Sequence, residues 1–343
     1  MRALIKRGAG SDAVGVLEVA RPTPAQGQAL VRVAASGLCG TDLLLCDDRY
    51  RGRNRPVPCP VVIGHEASGE VVEIGPGTRG VAPGTRVAIE AVRGCGQCHH
   101  CTAGRYNLCA DWHHIGLTCD GALAEFVVVP AASLLPLPDT VTHESAAFLE
   151  PLATAVHALE RTTLVPDAGA AIVGPGPLGL LHLQLLRAAG VARIVVYGSA
   201  GDDARLAVAS RLGAEVFLGD RPAVAAHAAR ATGGLGFGLT IEAGGTSTAI
   251  QSALDVAAGA GTLVSLGIVP PTELDVLQVM RKNLTWLGVV SSVRRHFEEA
   301  LRLVEAGAVR PCDLITHRLT LDDARAGFDL MRRRAAVKVM VAM

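Results

Sequence analysis

Ala170-Ala171-Ile172-Val173-Gly174-Pro175-Gly176-Pro177-Leu178-Gly179 is the stretch that decides the fold. Four small or branched apolar residues form a buried strand, a glycine-rich turn follows, and an apolar helix opens at Leu178 and runs to Ala189. In that setting G-x-G-x-x-G marks a dinucleotide-binding unit. Gly174 allows the tight turn, Gly176 lets the backbone approach a pyrophosphate, and Gly179 lets helix and strand pack closely. Pro177 closes the turn and Leu178 opens the helix, and both border the N-terminal N–H groups that suit phosphate oxygens.

The same alternation continues downstream. Arg193–Tyr197, Glu215–Leu218, Leu239–Glu242, Thr262–Leu266 and Trp286–Val290 read as strands, with a helix over Arg205–Leu212. Strands and helices joined by short links give a parallel, doubly wound sheet. A strand near Leu284–Val290 is expected at the sheet edge. The second strand ends in Tyr197-Gly198-Ser199-Ala200, where an acid would ordinarily accept the adenosine ribose hydroxyls. Gly198 and Ser199 leave room for a 2′-phosphate, so NADP is favoured over NAD. Arg205 or Arg221 is the cation available nearby. Asp202 and Asp203 come too late for the usual ribose geometry.

Upstream, the chain is rich in Gly and Pro, with short β-branched runs at Ala29–Val33, Val61–Ile63, Glu70–Ile74, Arg86–Ile89 and Glu125–Val129. Turn signals such as Pro76-Gly77 and Pro83-Gly84 separate them, which predicts an irregular, mostly β region. Within it, Cys95, Cys98, Cys101 and Cys109 are spaced to bend four thiolates round one tetrahedral zinc. A shell of four thiolates leaves no open position, so this site is structural. Cys39-Gly40-Thr41-Asp42, Gly64-His65-Glu66 and Glu150-Pro151 offer a second set. One thiolate, one imidazole and carboxylates can hold zinc with a position open for substrate. Beyond Arg294 an amphipathic helix (Phe297, Ala300, Leu301, Val304) precedes mixed elements that return to the first region.

Bulk properties narrow the function. The 343 residues suffice for two domains, and half are hydrophobic. With 32 basic and 32 acidic residues, nothing draws the chain to nucleic acid or an anionic membrane. Nine cysteines behind an N-terminus without a signal-like apolar run point to metal and thiol chemistry in a reducing cytoplasm. Ala170–Leu186 is too interrupted by Gly, Pro and His182 to span a membrane. The alternating Arg49, Arg51, Arg53, Arg55 run reads as a solvated loop, or as a rim for an anionic substrate.

Taken in order, GLCGTD (37–42), GHE (64–66), GCGQCHHC…C (94–109), EP (150–151) and GPGPLG (174–179) resemble the zinc-dependent medium-chain dehydrogenases/reductases across essentially the whole chain. The segment Leu314 to Phe328 resembles the threonine dehydrogenase branch. The resemblance implies a GroES-like catalytic domain over 1–155 with both zinc sites, a Rossmann domain over 156–293, and a segment over 294–343 that returns to the catalytic domain. It implies catalytic zinc on Cys39, His65 and Glu66, with Glu150 or water as the exchangeable neighbour. Thr41 would be the relay hydroxyl, and Thr154 and Leu266-Gly267 would lie near the nicotinamide. Leu44 and Val92 stand where the polyol or threonine branches usually carry histidines, which leaves the proton to exit by Asp42, His157 or water. The expected enzyme oxidises a secondary alcohol (polyol, cyclitol, amino alcohol or hydroxy-amino acid) or runs in reverse, as a homodimer or homotetramer. The competing expectations are a carbonyl or enone reductase without catalytic zinc and a silent NADPH-binding structural protein.

Overall fold

The computed structural model describes residues 1–50, 52, 56–164 and 169–343. Arg51, Arg53 and Arg55 of the arginine run lie outside the described residues.

Six parallel strands form the dinucleotide-binding sheet in the order Glu215–Leu218, Ile194–Gly198, Ala170–Val173, Phe237–Glu242, Ala257–Ser265, Thr285–Gly288. Numbered along the chain, that is 3-2-1-4-5-6, the Rossmann order. The first strand shows why it sits in the middle. Ala170 and Ile172 join the apolar cluster under the helix Pro177–Ala188, while Ala171 and Val173 join the cluster on the opposite face with Val195, Tyr197 and Phe237. A strand apolar on both faces must be covered on both. Each such large side chain contributes about 1.5–3 kcal/mol when taken from water.

The other large sheet is antiparallel at its centre. Gln28–Gly37 pairs with Glu66–Ile74, Phe126–Pro130 and Lys338–Ala342. The last of these is the C-terminal strand, so the chain closes on its own beginning, with Met340 opposite Gly37 and Ala342 opposite Ala35. Helix Leu149–Glu160 leads from this sheet towards the nucleotide-binding one and packs on helix Arg294–Glu305, where His296 Nε2 meets Glu160 at 2.7 Å. Phe297 and Ala300 are buried there.

Most expected elements form within a residue or two of their predicted ends. The fifth nucleotide-domain strand is longer than expected. It begins at Ala257, and its register shifts between Phe237 and Leu239. Ala258 to Gly261 have no partner in that register and form a bulge opposite Gly238, with Ala260 left-handed at φ 57° and its N–H donating to the Lys282 carbonyl at 2.7 Å. Among the described residues no helix is long and apolar enough to cross a membrane.

Candidate active site

The four-cysteine loop is folded for one ion. Cys98 precedes the short helix His99–Thr102, and Cys109 follows the turn Tyr106–Leu108. Cys95 and Cys101 sulfurs lie 4.0 Å apart, and Cys98 and Cys109 sulfurs 3.7 Å. Roughly 2.3 Å Zn–S bonds give a tetrahedron edge of about 3.8 Å, so the spacing fits zinc, and it is too wide for a disulfide. A Cβ at Gly94 would collide with Cys101 Sγ, so glycine is required at that point. Backbone N–H groups of Gln97 and Cys98 draw the Cys95 thiol down to about 7, which favours the thiolate.

A second donor set gathers where three segments meet. One ligand atom each from Cys39, His65 and Glu66 lie within 4.8 Å of one another. Cys39 ends the run from Gln28–Gly37 and precedes helix Gly40–Cys46. His65 and Glu66 follow Gly64, whose φ of 95° and close approach to the Leu123 backbone no other residue could match. Asp42 fixes the arrangement. One oxygen accepts from the Cys39 N–H at 2.9 Å, and the other stands 3.2 Å from His65 Nδ1. That contact lacks the alignment of a full hydrogen bond, but it sets a carboxylate oxygen against Nδ1 of the buried ring. A carboxylate behind a histidine is the usual orienting partner of a metal ligand.

The pocket is built for positive charge. Burial disfavours an imidazolium at His65, yet Asp42 and Cys39 hold its pKa well above the ordinary value. Glu66 is buried and ion-paired through Oε2 with Lys338, itself 1% exposed. Glu150, at the start of helix Leu149–Glu160, is pushed to about 7 by burial, with His65 opposing and Glu66 adding to the shift. It lies near the set without belonging to the tight group of three. Anionic, soft and hard donors in a buried corner fit zinc.

The dinucleotide cradle is equally specific. A Cβ at Gly174, at φ 108°, would stand 2.5 Å from Gly244 N, and one at Gly179 would strike the Gly174 carbonyl. At Gly176 the nearest atom would be 4.0 Å away, so that side of the turn is open to a ligand. Gly176 caps the helix with no side chain, and Pro177 takes its first position. The N–H groups of the first turn are thereby left for phosphate oxygens.

Comparison with known proteins decides the family. Residues 25–139 match the family described as alcohol dehydrogenase GroES-like domain, and residues 177–306 match zinc-binding dehydrogenase. A sorbitol dehydrogenase of Halalkalibacterium halodurans is 31% identical over 345 residues, covering 99% of each chain. An L-threonine 3-dehydrogenase of Bacillus velezensis is 33% identical, covering 99% of this chain and 98% of its own. A putative zinc-binding dehydrogenase from Sinorhizobium meliloti, solved bound to NADP, superposes with a TM-score of 0.87 at 31% identity, covering 100% of this chain and 99% of that one.

The chain belongs to the zinc-type medium-chain alcohol and polyol dehydrogenases.

As a member of these dehydrogenases it is an oxidoreductase that works with zinc and a nicotinamide cofactor on a small-molecule alcohol. The remaining expected residues fall as follows. Thr41 is half-buried in the first turn after Cys39, and Leu44 lies one turn further on. Thr154 turns back to the Glu150 carbonyl at 3.5 Å. Leu266 and Gly267 follow the fifth strand, where Gly267 N donates to Glu242 at 3.2 Å. His157 shares a hydrogen bond with the Ser291 carbonyl and stacks on His296, 4.4 Å between ring centres. Gly198 is buried at the end of its strand and Ser199 is exposed beyond it. Arg205 is turned to the C-terminal segment, donating to the Ala336 carbonyl at 2.8 Å. Arg221 is held by Asp255 and Gln251. Neither arginine points freely at a ribose.

Three residues escaped the sequence reading. Lys338 is the only charge in the apolar run Ala335–Met343, a signal that a buried partner awaited it. Glu242 ends the fourth strand and accepts from Gly244, Gly245 and Gly267 N–H groups, tying two loops at the mouth of the sheet. Arg334 reaches Ser199 from the far end of the chain; sequence gives no sign of that contact.

Proposed function

We propose that this dehydrogenase oxidises a secondary alcohol of a polyol, cyclitol, amino alcohol or hydroxy-amino acid to the ketone, or performs the reverse. Cys39, His65 and Glu66 hold the catalytic zinc, with Glu150 or water as the exchangeable neighbour. Cys95, Cys98, Cys101 and Cys109 hold a second, structural zinc. The observation that carries this reading is the convergence of Cys39, His65 and Glu66 within 4.8 Å, in a buried pocket that favours a cation. An intact donor set of this kind argues against a reductase that uses the fold without metal.

Bound there, zinc would supply Lewis acidity towards the alcohol or carbonyl oxygen, and a nicotinamide in the dinucleotide bed would supply the hydride acceptor or donor. The chain's residues do the rest. Asp42 fixes the His65 ring while holding the Cys39 backbone, so two ligands share one positioning carboxylate. Lys338 holds one Glu66 oxygen. The Thr41 hydroxyl, two residues past Cys39, takes the proton from the substrate side. The proton then leaves by water, because Leu44 offers no onward acceptor and His157 is engaged with Ser291.

The split assigned to the chain is a catalytic domain over 1–155, a nucleotide domain over 156–293 and a returning segment over 294–343. Thr154, Gly174, Gly176, Pro177, Leu178, Gly179, Gly198, Ser199, Leu266 and Gly267 form the cofactor's bed. The absence of an acid at Gly198-Ser199 favours NADP over NAD. Association as a dimer or tetramer is supported by the edge strand Thr285–Gly288, with Trp286, Val290, Met280 and Val276 exposed beside it. A reducing cytoplasm suits nine cysteines with no disulfide among them.

A panel of secondary polyols, amino alcohols and the matching ketones, assayed with NAD and with NADP, tests the reaction class. Turnover of at least one secondary alcohol–ketone pair is expected. Reduction of enones alone, without any alcohol oxidation, would defeat it.

A further inference from the structure

The end of the second nucleotide-domain strand carries a cluster that the Rossmann domain does not build alone. Ser199 N and Ser199 Oγ donate to Asp202 Oδ2 at 3.0 and 3.3 Å. The Asp202 side chain is 7% exposed, so its carboxylate is turned inward and does not face a ribose. Arg205 lies 3.5 Å from its other oxygen. Arg334 then arrives from the C-terminal segment, with Nη1 2.7 Å from Ser199 Oγ, 3.2 Å from Asp202 Oδ2 and 3.3 Å from the Ala200 carbonyl. Two guanidinium groups against one carboxylate leave a net positive charge where the adenosine ribose ends. Asp203, exposed on the next helical turn, is the nearest further acid in sequence.

Arg334 is half-exposed, and its Nε and Nη2 take no partner among the described residues. Its backbone is left-handed, at φ 55°, just past the helix Ala324–Arg332. That position ordinarily takes glycine, and arginine occupies it only against a steric cost. The segment that carries it is anchored independently, by Arg205 on the Ala336 carbonyl and by Glu66 on Lys338. The guanidinium is therefore held in place beside Ser199 with donors to spare. Such a group matches a phosphomonoester, which takes charge-assisted bonds from arginine, and the Ser199 hydroxyl, on turning its one proton away from Asp202, adds a further bond.

We propose that Arg334, supplied by the returning C-terminal segment, is the residue that selects NADP by binding the 2′-phosphate of its adenosine ribose together with Ser199. This rests on the dinucleotide-site reading above. It assigns the selecting charge to a segment outside the nucleotide domain.

The test is Arg334→Gly, which suits the left-handed backbone and removes only the side chain, beside Arg334→Lys. Dissociation constants of NADPH and NADH, and of 2′,5′-ADP and 5′-AMP as fragments, are measured by fluorescence and calorimetry on the full chain. Expected for Arg334→Gly is a loss of roughly 10- to 100-fold for NADPH and 2′,5′-ADP, with NADH and 5′-AMP changed by less than about 3-fold. Arg334→Lys should recover part of the loss. Equal weakening of all four would make Arg334 a mere structural tie and overturn the proposal, as would unchanged NADPH binding. Wild-type protein that binds NADH but not NADPH would overturn it while sparing the dinucleotide site. Wild-type protein that binds neither would bring down both.

Discussion

Gly176→Ala separates what the glycine turn does for the fold from what it does for the cofactor. Gly176 has φ −76° and ψ 179°, which alanine adopts freely, and its new methyl would stand 4.0 Å from the nearest atom. Alanine caps a helix less well than glycine, but it also restricts the unfolded chain by about 0.4–1 kcal/mol. These effects oppose each other, so the net change in stability stays under about 1 kcal/mol, a melting shift of no more than about 4 °C. The methyl does, however, occupy the open side of the turn, where the pyrophosphate approaches the helix N-terminus. Displacing one phosphate oxygen unmakes a charge-assisted hydrogen bond worth about 1.5–3 kcal/mol, or roughly 10- to 150-fold in affinity. Gly179→Ala is the contrast, because its methyl would strike the Gly174 carbonyl and lie 3.1 Å from Ile172 Cγ2. That variant should lose both melting temperature and affinity. The assay is dinucleotide titration by fluorescence with a thermal melt of the ligand-free protein. Unchanged affinity in Gly176→Ala would refute the placement of the phosphates.

Other consequences can be checked in the same way. Cys98→Ser should lose about one zinc per chain and lower the melting temperature, because metal binding is part of the folding free energy of that lobe. Lys338→Met, made in Cys39→Ala protein that lacks the second zinc, should destabilise by about 3–5 kcal/mol by leaving Glu66 buried without a partner, and chemical denaturation will show it. His182 is fully buried, with Nδ1 donating to the Leu178 carbonyl, and burial lowers its pKa to about 4. Against an unfolded value of about 6.5, the unfolded chain binds the proton first as pH falls. Stability should therefore drop between about pH 6.5 and 4, by on the order of 3 kcal/mol from this group, and His182→Leu should flatten that slope. Trp286→Glu, on the exposed edge strand, should shift sedimentation towards smaller species.

The parts of the fold legible in the sequence were those written locally. The run Ala170–Gly179 states strand, turn and helix within ten residues, and the cysteine spacings state one ion. The start of the helix at Pro177 instead of Leu178 is a matter of proline's fit to a first helical turn. What sequence could not show were partners brought together by the closing of the chain. Lys338 meets Glu66, and Arg334 meets Ser199, only because Lys338–Ala342 pairs with Gln28–Gly37. Asp202 comes too late in sequence for the usual ribose geometry, and the fold turns it inward to Ser199 and two arginines. An aspartate at Gly198, where an acid would ordinarily stand, would set its Cβ 2.9 Å from Leu206 and 3.1 Å from Asp202, so Gly198→Asp perturbs packing as well as charge.

The central claim is that Cys39, His65 and Glu66 hold a second zinc on which turnover depends. Zinc content per chain, measured with turnover and dinucleotide binding in wild type and Cys39→Ala, tests it directly. Two zincs in the wild type are expected, and one in Cys39→Ala, with turnover lost and dinucleotide affinity kept. Wild-type turnover in Cys39→Ala would contradict the account.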